Sequence, residues 1–284
     1  MKTIVISGAS GFVGQSLVEF FSKQNYKVVQ IKREILNKPS KLDEQIQSCD
    51  VLINLSGANI INRWSDEYKK LLYSSRINTT KSLVESLNRV QNKPKMFIST
   101  SAVGIYDNKT TYDEDGSYSN DFLSTLCQEW EKEAKKVNND FTKVTIFRFG
   151  IVLGKNGGAI SKMMLPFKLG LGGVIGSGKQ YFSYIHIDDL IKAYSFVIEK
   201  ELDGVFNLTA PTPTTNFEFT KTFGKILNRP TIFPVPEFVL KLIFSEGAKV
   251  LSDGQSAVPK KLLDSGFEFK YKNIEECLKE ICKK

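Results

Sequence analysis

The stretch IVISGASGFVGQS, a short apolar run leading into Gly8, Gly11 and Gly14, constrains this chain more than any other feature. Glycines at this GxxGxxG spacing, behind a strand and ahead of a helix, suit a tight βα turn. Gly8 permits the sharp bend, Gly11 lets the backbone come close to a pyrophosphate, and Gly14 allows helix and strand to pack tightly. The helix N-terminus adds free N–H groups and a partial positive charge. Gly8, Ser10, Gly11, Phe12, Val13 and Gly14 are therefore the expected cradle of a dinucleotide.

Along the rest of the chain, strand-like apolar runs alternate with longer amphipathic stretches, which predicts a doubly wound parallel sheet flanked by helices, an α/β nucleotide-binding Rossmann fold. Strands are expected at 3–7, 27–32, 51–55, 95–100, 144–149 and near 205–208, and helices at 14–24, 66–90 and 122–138. Beyond Gly154 the glycine-rich stretches GKNGGAISKM and LGLGGVIGSGKQYF read as mobile loops. From Pro211 onward, proline-punctuated helices at 216–227, 236–244 and 274–283, with a strand at 267–271, suggest a smaller lobe. The division is 1–210 for the nucleotide-binding domain and 211–284 for a small C-terminal domain, with loop 155–183 turned to the substrate side.

The second strand selects the nucleotide. NAD-binding folds place an acid some 20 residues past the glycine loop to accept the ribose hydroxyls. Here the strand ends in Lys32 and Arg33, with Glu34 one position later. A guanidinium there pairs with a 2′-phosphate and a carboxylate would repel it, so NADP (NADPH) is the expected cofactor. The strand at 51–55 leads into NLSGANI, whose Leu55, Ser56 and Gly57 would pass beside the adenine ribose.

The chain has 284 residues, a net charge of +8, one histidine and four cysteines. No apolar run nears the ~20 residues of a membrane span, and the few apolar residues before Gly8 read as a buried strand and not as a secretory signal. Neither metal-ligand spacing nor a CxxC pair occurs, so free thiols in a cytoplasmic setting are expected, without metal. The lysines are scattered and no nucleic-acid motif accompanies them. The expected partner is a small-molecule substrate, not nucleic acid or membrane.

STSAVGIY, FRFGIVLG and YIHIDDL follow the glycine loop in an order that resembles the extended short-chain dehydrogenase/reductase superfamily. GANIINRWSDEYKKLLYSSRINTTKSLVESL, FLSTLCQEWEKEA and NLTAPTPTTNFEFTKTFGKILNRP are similar to its atypical epimerase-like subfamily, SDR39U, over essentially the whole chain. That resemblance implies NADP-dependent oxidoreductase chemistry on an unspecified carbonyl or alcohol, and a homodimer formed through a helix pair.

The resemblance also implies a catalytic serine, tyrosine and lysine, the last needed because a free phenol titrates near pH 10. Ser101 matches the serine. None of the ten tyrosines has Lys four residues on, and Leu123 and Cys127 fall where the Tyr–Lys pair would stand. Tyr106, on the loop after Ser101, is the stand-in acid, weighed against a plain aromatic plug. Arg148 ends a central strand and is assigned to the cofactor. His186 reads as a strand residue ahead of a helix capped by Asp188 and Asp189. The missing pair leaves a second reading open, a non-catalytic NADPH-binding sensor or cell-division-associated protein.

Overall fold

The computed structural model describes residues 1–138, 140–155 and 157–283. β1 (Thr3–Ser7) runs through the glycine turn into α1 (Phe12–Lys23), followed by β2 (Lys27–Ile31), a 3-10 turn (Arg33–Ile35), α2 (Pro39–Ile46) and β3 (Val51–Asn54). Next come α3 (Asp66–Tyr73), a π-helical turn (Ser74–Asn78), α4 (Thr79–Arg89), β4 (Met96–Ala102), β5 (Thr111–Tyr112), α5 (Phe122–Ala134) and β6 (Lys143–Phe149). β7 (Ile151–Gly154), α6 (Gly158–Lys168), β8 (Tyr184–His186), α7 (Ile187–Lys200) and β9 (Gly204–Leu208) lead to the C-terminal segment. That segment holds α8 (Asn216–Leu227), α9 (Glu237–Phe244), α10 (Lys249–Ser252), β10 (Ser256–Ala257), α11 (Lys260–Asp264) and α12 (Ile274–Cys282).

The main sheet is parallel, in the order β2-β1-β3-β4-β6-β9. Its inner strands β1 and β3 are buried throughout because both faces are covered, whereas the edge strand β2 leaves Lys27 and Gln30 exposed. Ile4, Ile6, Ile53, Ile98 and Phe147 pack under α1 and α7. Val5, Leu52, Phe97 and Ile146 pack on the other face with Leu42, Leu83 and Leu87 of α2 and α4. The chain leaves β1 in one direction for β2 and in the other for β3, so the crevice between the carboxyl ends of β1 and β3 is the switch point where such sheets take ligands.

All six main strands fall where the sequence places them. Three local expectations do not hold. The stretch read as mobile loop contains α6, because its glycines stand at the helix ends, Gly158 and Gly170 both at positive φ, while Ile160 and Phe167 bury one side. Residues 267–271 form no strand, since the N–H groups of Lys270 and Tyr271 donate to the Asp189 carboxylate at 2.8 and 2.9 Å. His186 itself caps α7, its Nδ1 accepting the Asp188 N–H at 3.1 Å, which leaves Asp189 free for that tie. The helix expected over 66–90 is present over 66–89, α3 and α4 running into one another through the π turn that carries Arg76.

From residue 211 the chain packs in two directions. Ile274, Cys277, Leu278 and Ile281 of α12 join Leu153, Ile160, Phe182, Phe219 and Phe223 in one cluster. Leu262, Phe267 and Phe269 return to the core beneath α1 and α7.

Candidate functional site

The three loop glycines have separable reasons to be glycine. Gly8 has φ +80°, and a Cβ there would lie 2.7 Å from the Leu55 carbonyl carbon; one on Gly14 would lie 2.5 Å from the Gly8 oxygen. Both are fixed by packing of the protein against itself. A Cβ on Gly11 would meet only the Gly8 oxygen at 3.5 Å, an ordinary contact, so the fold does not require that glycine. Gly11 also caps α1 without a side-chain hydrogen bond, and the first turn carries no acid. A bare backbone face and unsatisfied N–H groups with no nearby carboxylate are what an anionic bridge between two nucleotides fits. Phe12 departs from its expected role, because its ring packs against Gly154, Gly157 and Gly158 and only its backbone faces the turn.

Across the switch point, the turn after β3 is pinned from below. Asn54 Nδ2 donates to Thr80 Oγ1 at 2.8 Å, Asn54 Oδ1 accepts the Ser56 N–H at 3.2 Å, and Ser7 Oγ meets Ser56 Oγ. Leu55 thereby offers its backbone to Gly8. Gly57 faces the Arg76 guanidinium, which donates to the Ala58 carbonyl at 2.9 Å and lies 5.3 Å over the Trp130 ring. On the other side of β1, Lys32 and Arg33 are exposed at the end of β2. Neither side chain makes a hydrogen bond or ion pair among the described residues, so Arg33 is available to a ligand.

The residues expected at the chemical end of the site are placed differently. Ser101, Arg148 and Asn207 lie side by side in register on β4, β6 and β9, at the carboxyl ends of the strands. All three are buried, under α5 and the turn that carries Tyr106. Arg148 gives all five of its N–H donors to this network: Nε to Glu131 Oε1 at 2.7 Å, Nη2 to Glu131 Oε2 and Tyr118 Oη, and Nη1 to Tyr106 Oη and the Glu114 carbonyl. It has none left for a cofactor, and the expectation that it binds one is corrected on that ground. Burial alone would lower the Arg148 guanidinium, but the hydrogen bonds and charge of Glu131 outweigh it and leave it raised.

Ser101 donates to Glu131 Oε1 at 2.8 Å and is 1 % exposed. Tyr106 does not swing on a loop. Its ring is fully buried, and its hydroxyl accepts from Arg148 and donates to Asn207 Oδ1 at 2.9 Å. Burial pushes that phenol up to about 12, with Arg148 only partly opposing the rise. The plug, not the mobile acid, is what the geometry shows. Glu131, Asn207 and Glu114 were not foreseen. One signal pointed to Glu131: it continues the helical stripe of Leu123 and Cys127, one turn further on, and so had to face the same strand ends.

At the positions of the absent Tyr–Lys pair, Leu123 lies against Gly104 and joins Ala58, Ile60, Trp64, Phe122 and Val250 in an apolar cluster beside the switch point. Cys127 is buried, and burial together with the Glu131 charge pushes its thiol up to about 12.

A glycine turn and an open helix N-terminus at the switch point of a parallel sheet form the architecture of the Rossmann-like nucleotide-binding proteins. Comparison narrows this. The chain belongs to the NAD dependent epimerase/dehydratase family, whose profile matches residues 4–209, and within it to the SDR39U1 epimerase proteins; residues 235–281 match a domain of unknown function, DUF1731. It is 36 % identical over 300 residues to an SDR39U1 homologue of Arabidopsis thaliana described as chloroplastic, covering 98 % of this chain and 86 % of that one. Against the epimerase family protein YfhF of Bacillus subtilis it is 35 % identical, covering 98 % and 97 %. The crystal structure of human SDR39U1 (isoform 2) with NADPH superposes with a TM-score of 0.92 at 34 % identity, covering 98 % of both chains.

Proposed function

We propose that this chain is an NADP(H)-dependent oxidoreductase of the epimerase-like short-chain dehydrogenase/reductase type, acting on a small carbonyl or alcohol in a reducing, cytoplasmic setting. The observation that carries the reading is the unpaired Arg33 guanidinium, one strand from the glycine turn, where NAD-selective folds hold an acid. NADPH in the human relative supports it. When bound, the nicotinamide supplies the hydride. The protein's own part is positional. Gly11 and the first N–H groups of α1 hold the pyrophosphate, Arg33 with Lys32 holds the 2′-phosphate, and the Leu55–Gly57 backbone passes the adenosine. Leu123 with its apolar neighbours walls the crevice beside the switch point. Ser101 and Tyr106 act by holding the strand ends in register, their hydroxyl hydrogens being committed, and the substrate oxygen takes its proton from water.

Calorimetric titration tests this reading. NADPH is expected to bind at least about tenfold more tightly than NADH, with Arg33→Ala erasing the difference, since a charge-assisted contact to phosphate is worth roughly 1.5–3 kcal/mol. Equal affinities in the wild type would sink the cofactor assignment. The replacement of Tyr–Lys by Leu123 and Cys127 favours one second reading, a protein that binds NADPH and signals its presence without turnover. Tight NADPH binding with no oxidation across a panel of aldehydes and ketones would select it.

A further inference from the structure

Leu165, Leu169, Leu171, Ile232, Phe233, Phe238 and Leu242 are each between 64 and 75 % exposed; Met1 aside, no other large hydrophobic among the described residues exceeds Phe141 at 59 %. The most exposed apolar side chains are thus gathered on two segments. These segments are tied together: Gly170 stands against Pro230, the Val235 N–H donates to the Val174 carbonyl at 2.7 Å, and the Gly176 N–H donates to the Val235 carbonyl at 2.9 Å. α6 buries Ile160 and Phe167 while Leu165 points outward, and α9 buries Leu240 while Phe238 and Leu242 point outward, one turn apart. Large apolar side chains gathered and exposed in this way mark an interaction surface.

Charge decides what covers this face. Residues 162–171 and 229–242 contain four bases, Lys162, Lys168, Arg229 and Lys241, and one acid, Glu237. All four bases are exposed and none is paired with a carboxylate. A two-fold contact with a second copy would set this basic collection against itself. An anionic lipid surface complements it, with the leucines and phenylalanines entering the headgroup layer and the lysines and arginine meeting lipid phosphates. No helix among the described residues is long and apolar enough to cross a membrane, so the contact is peripheral.

We propose that the face formed by α6, the 230–236 loop and α9 docks this protein on anionic membranes. Co-sedimentation of the full chain with vesicles of phosphatidylcholine alone, or of phosphatidylcholine with phosphatidylglycerol, tests it at low salt. Sedimentation with the anionic vesicles only is expected. Phe233→Asp with Leu242→Asp should lower the bound fraction at least about tenfold, and Lys168→Ala and Arg229→Ala roughly fivefold each. An unchanged melting temperature confirms that these exposed changes leave the fold intact. Absence of binding to anionic vesicles, or undiminished binding by the Phe233→Asp/Leu242→Asp protein, overturns the proposal. A dimer seen by light scattering that Leu242→Asp dissociates, together with no vesicle binding, overturns it in favour of a second copy.

Discussion

Ser101 donates its hydroxyl hydrogen to a Glu131 oxygen at 2.8 Å, and that same oxygen accepts Arg148 Nε at 2.7 Å. One carboxylate therefore holds the ends of two adjacent strands. Truncating it leaves a guanidinium at 1 % exposure without its counter-charge. Glu131→Leu is expected to cost about 3–5 kcal/mol in urea unfolding, and the double variant Glu131→Leu/Arg148→Met to recover much of that loss, because removing both charges also removes the desolvation cost. A loss below about 1 kcal/mol for the single variant would contradict an ion pair that organises the strand ends.

The loop glycines separate binding from folding. Gly14→Ala drives a Cβ into the backbone of Gly8 and Ala9, neither of which can retreat without moving β1, and about 1–3 kcal/mol or more of stability should be lost. Gly11→Ala meets no such obstacle, so the free protein should lose about 1 kcal/mol at most, the cost of alanine at an N-cap. The new methyl occupies the space above the turn, and NADPH-induced stabilisation, which scales with the logarithm of ligand concentration over the dissociation constant, should largely vanish. If Gly11→Ala retains the full NADPH shift, the pyrophosphate is not held at this turn.

How much of this was legible beforehand follows from the range of the interactions involved. The six strands and the glycine turn are local in origin, an apolar run or a backbone requirement, and periodicity finds them. The role of Arg148 is not local. Its five acceptors come from residues 106, 114, 118 and 131, brought together by the crossover of α5 onto β6, and no pattern around FRFG announces them. The choice between acid and plug for Tyr106 has the same long-range origin, since only the register of β4, β6 and β9 places Asn207 and Arg148 within reach of its hydroxyl. The failed strand at 267–271 shows a related limit: Phe267 and Phe269 alternate as strand residues do, but the amides of Lys270 and Tyr271 that follow turn to the Asp189 carboxylate on α7 instead of a neighbouring strand.

Thiol chemistry should divide the cysteines sharply. Cys49 and Cys127 are buried with their thiols pushed up to about 12 by desolvation, and burial raises Cys277 further, whereas Cys282 is only partly covered near the end of α12. Reaction follows the exposed thiolate fraction. Native protein with a thiol-specific reagent should show one reactive group, lost in Cys282→Ser, and the other three should appear only on denaturation. Fast labelling of Cys127 in the native state would mean that the strand ends around Ser101 open far more readily than this packing allows.

His186 gives the fold a definite pH dependence. Its neutral Nδ1 accepts the Asp188 N–H that starts α7, and its ring lies 4.0 Å from that of Tyr271 in the C-terminal segment. Burial lowers its pKa below the ordinary 6.5, against the opposing pull of Asp188, Asp189 and Glu280. The folded state therefore resists a proton that the unfolded chain accepts. Above about pH 7.5 both states are neutral and no penalty exists; as pH falls below about 6.5 the unfolded chain charges first and stability declines, until the folded pKa is passed. The His186→Asn protein, whose side chain caps the same helix and does not titrate, should lose less stability than wild type between about pH 7.5 and about pH 5 when urea midpoints are compared. Parallel curves for the two proteins would show that the proton is taken up elsewhere and that the His186 cap is indifferent to it.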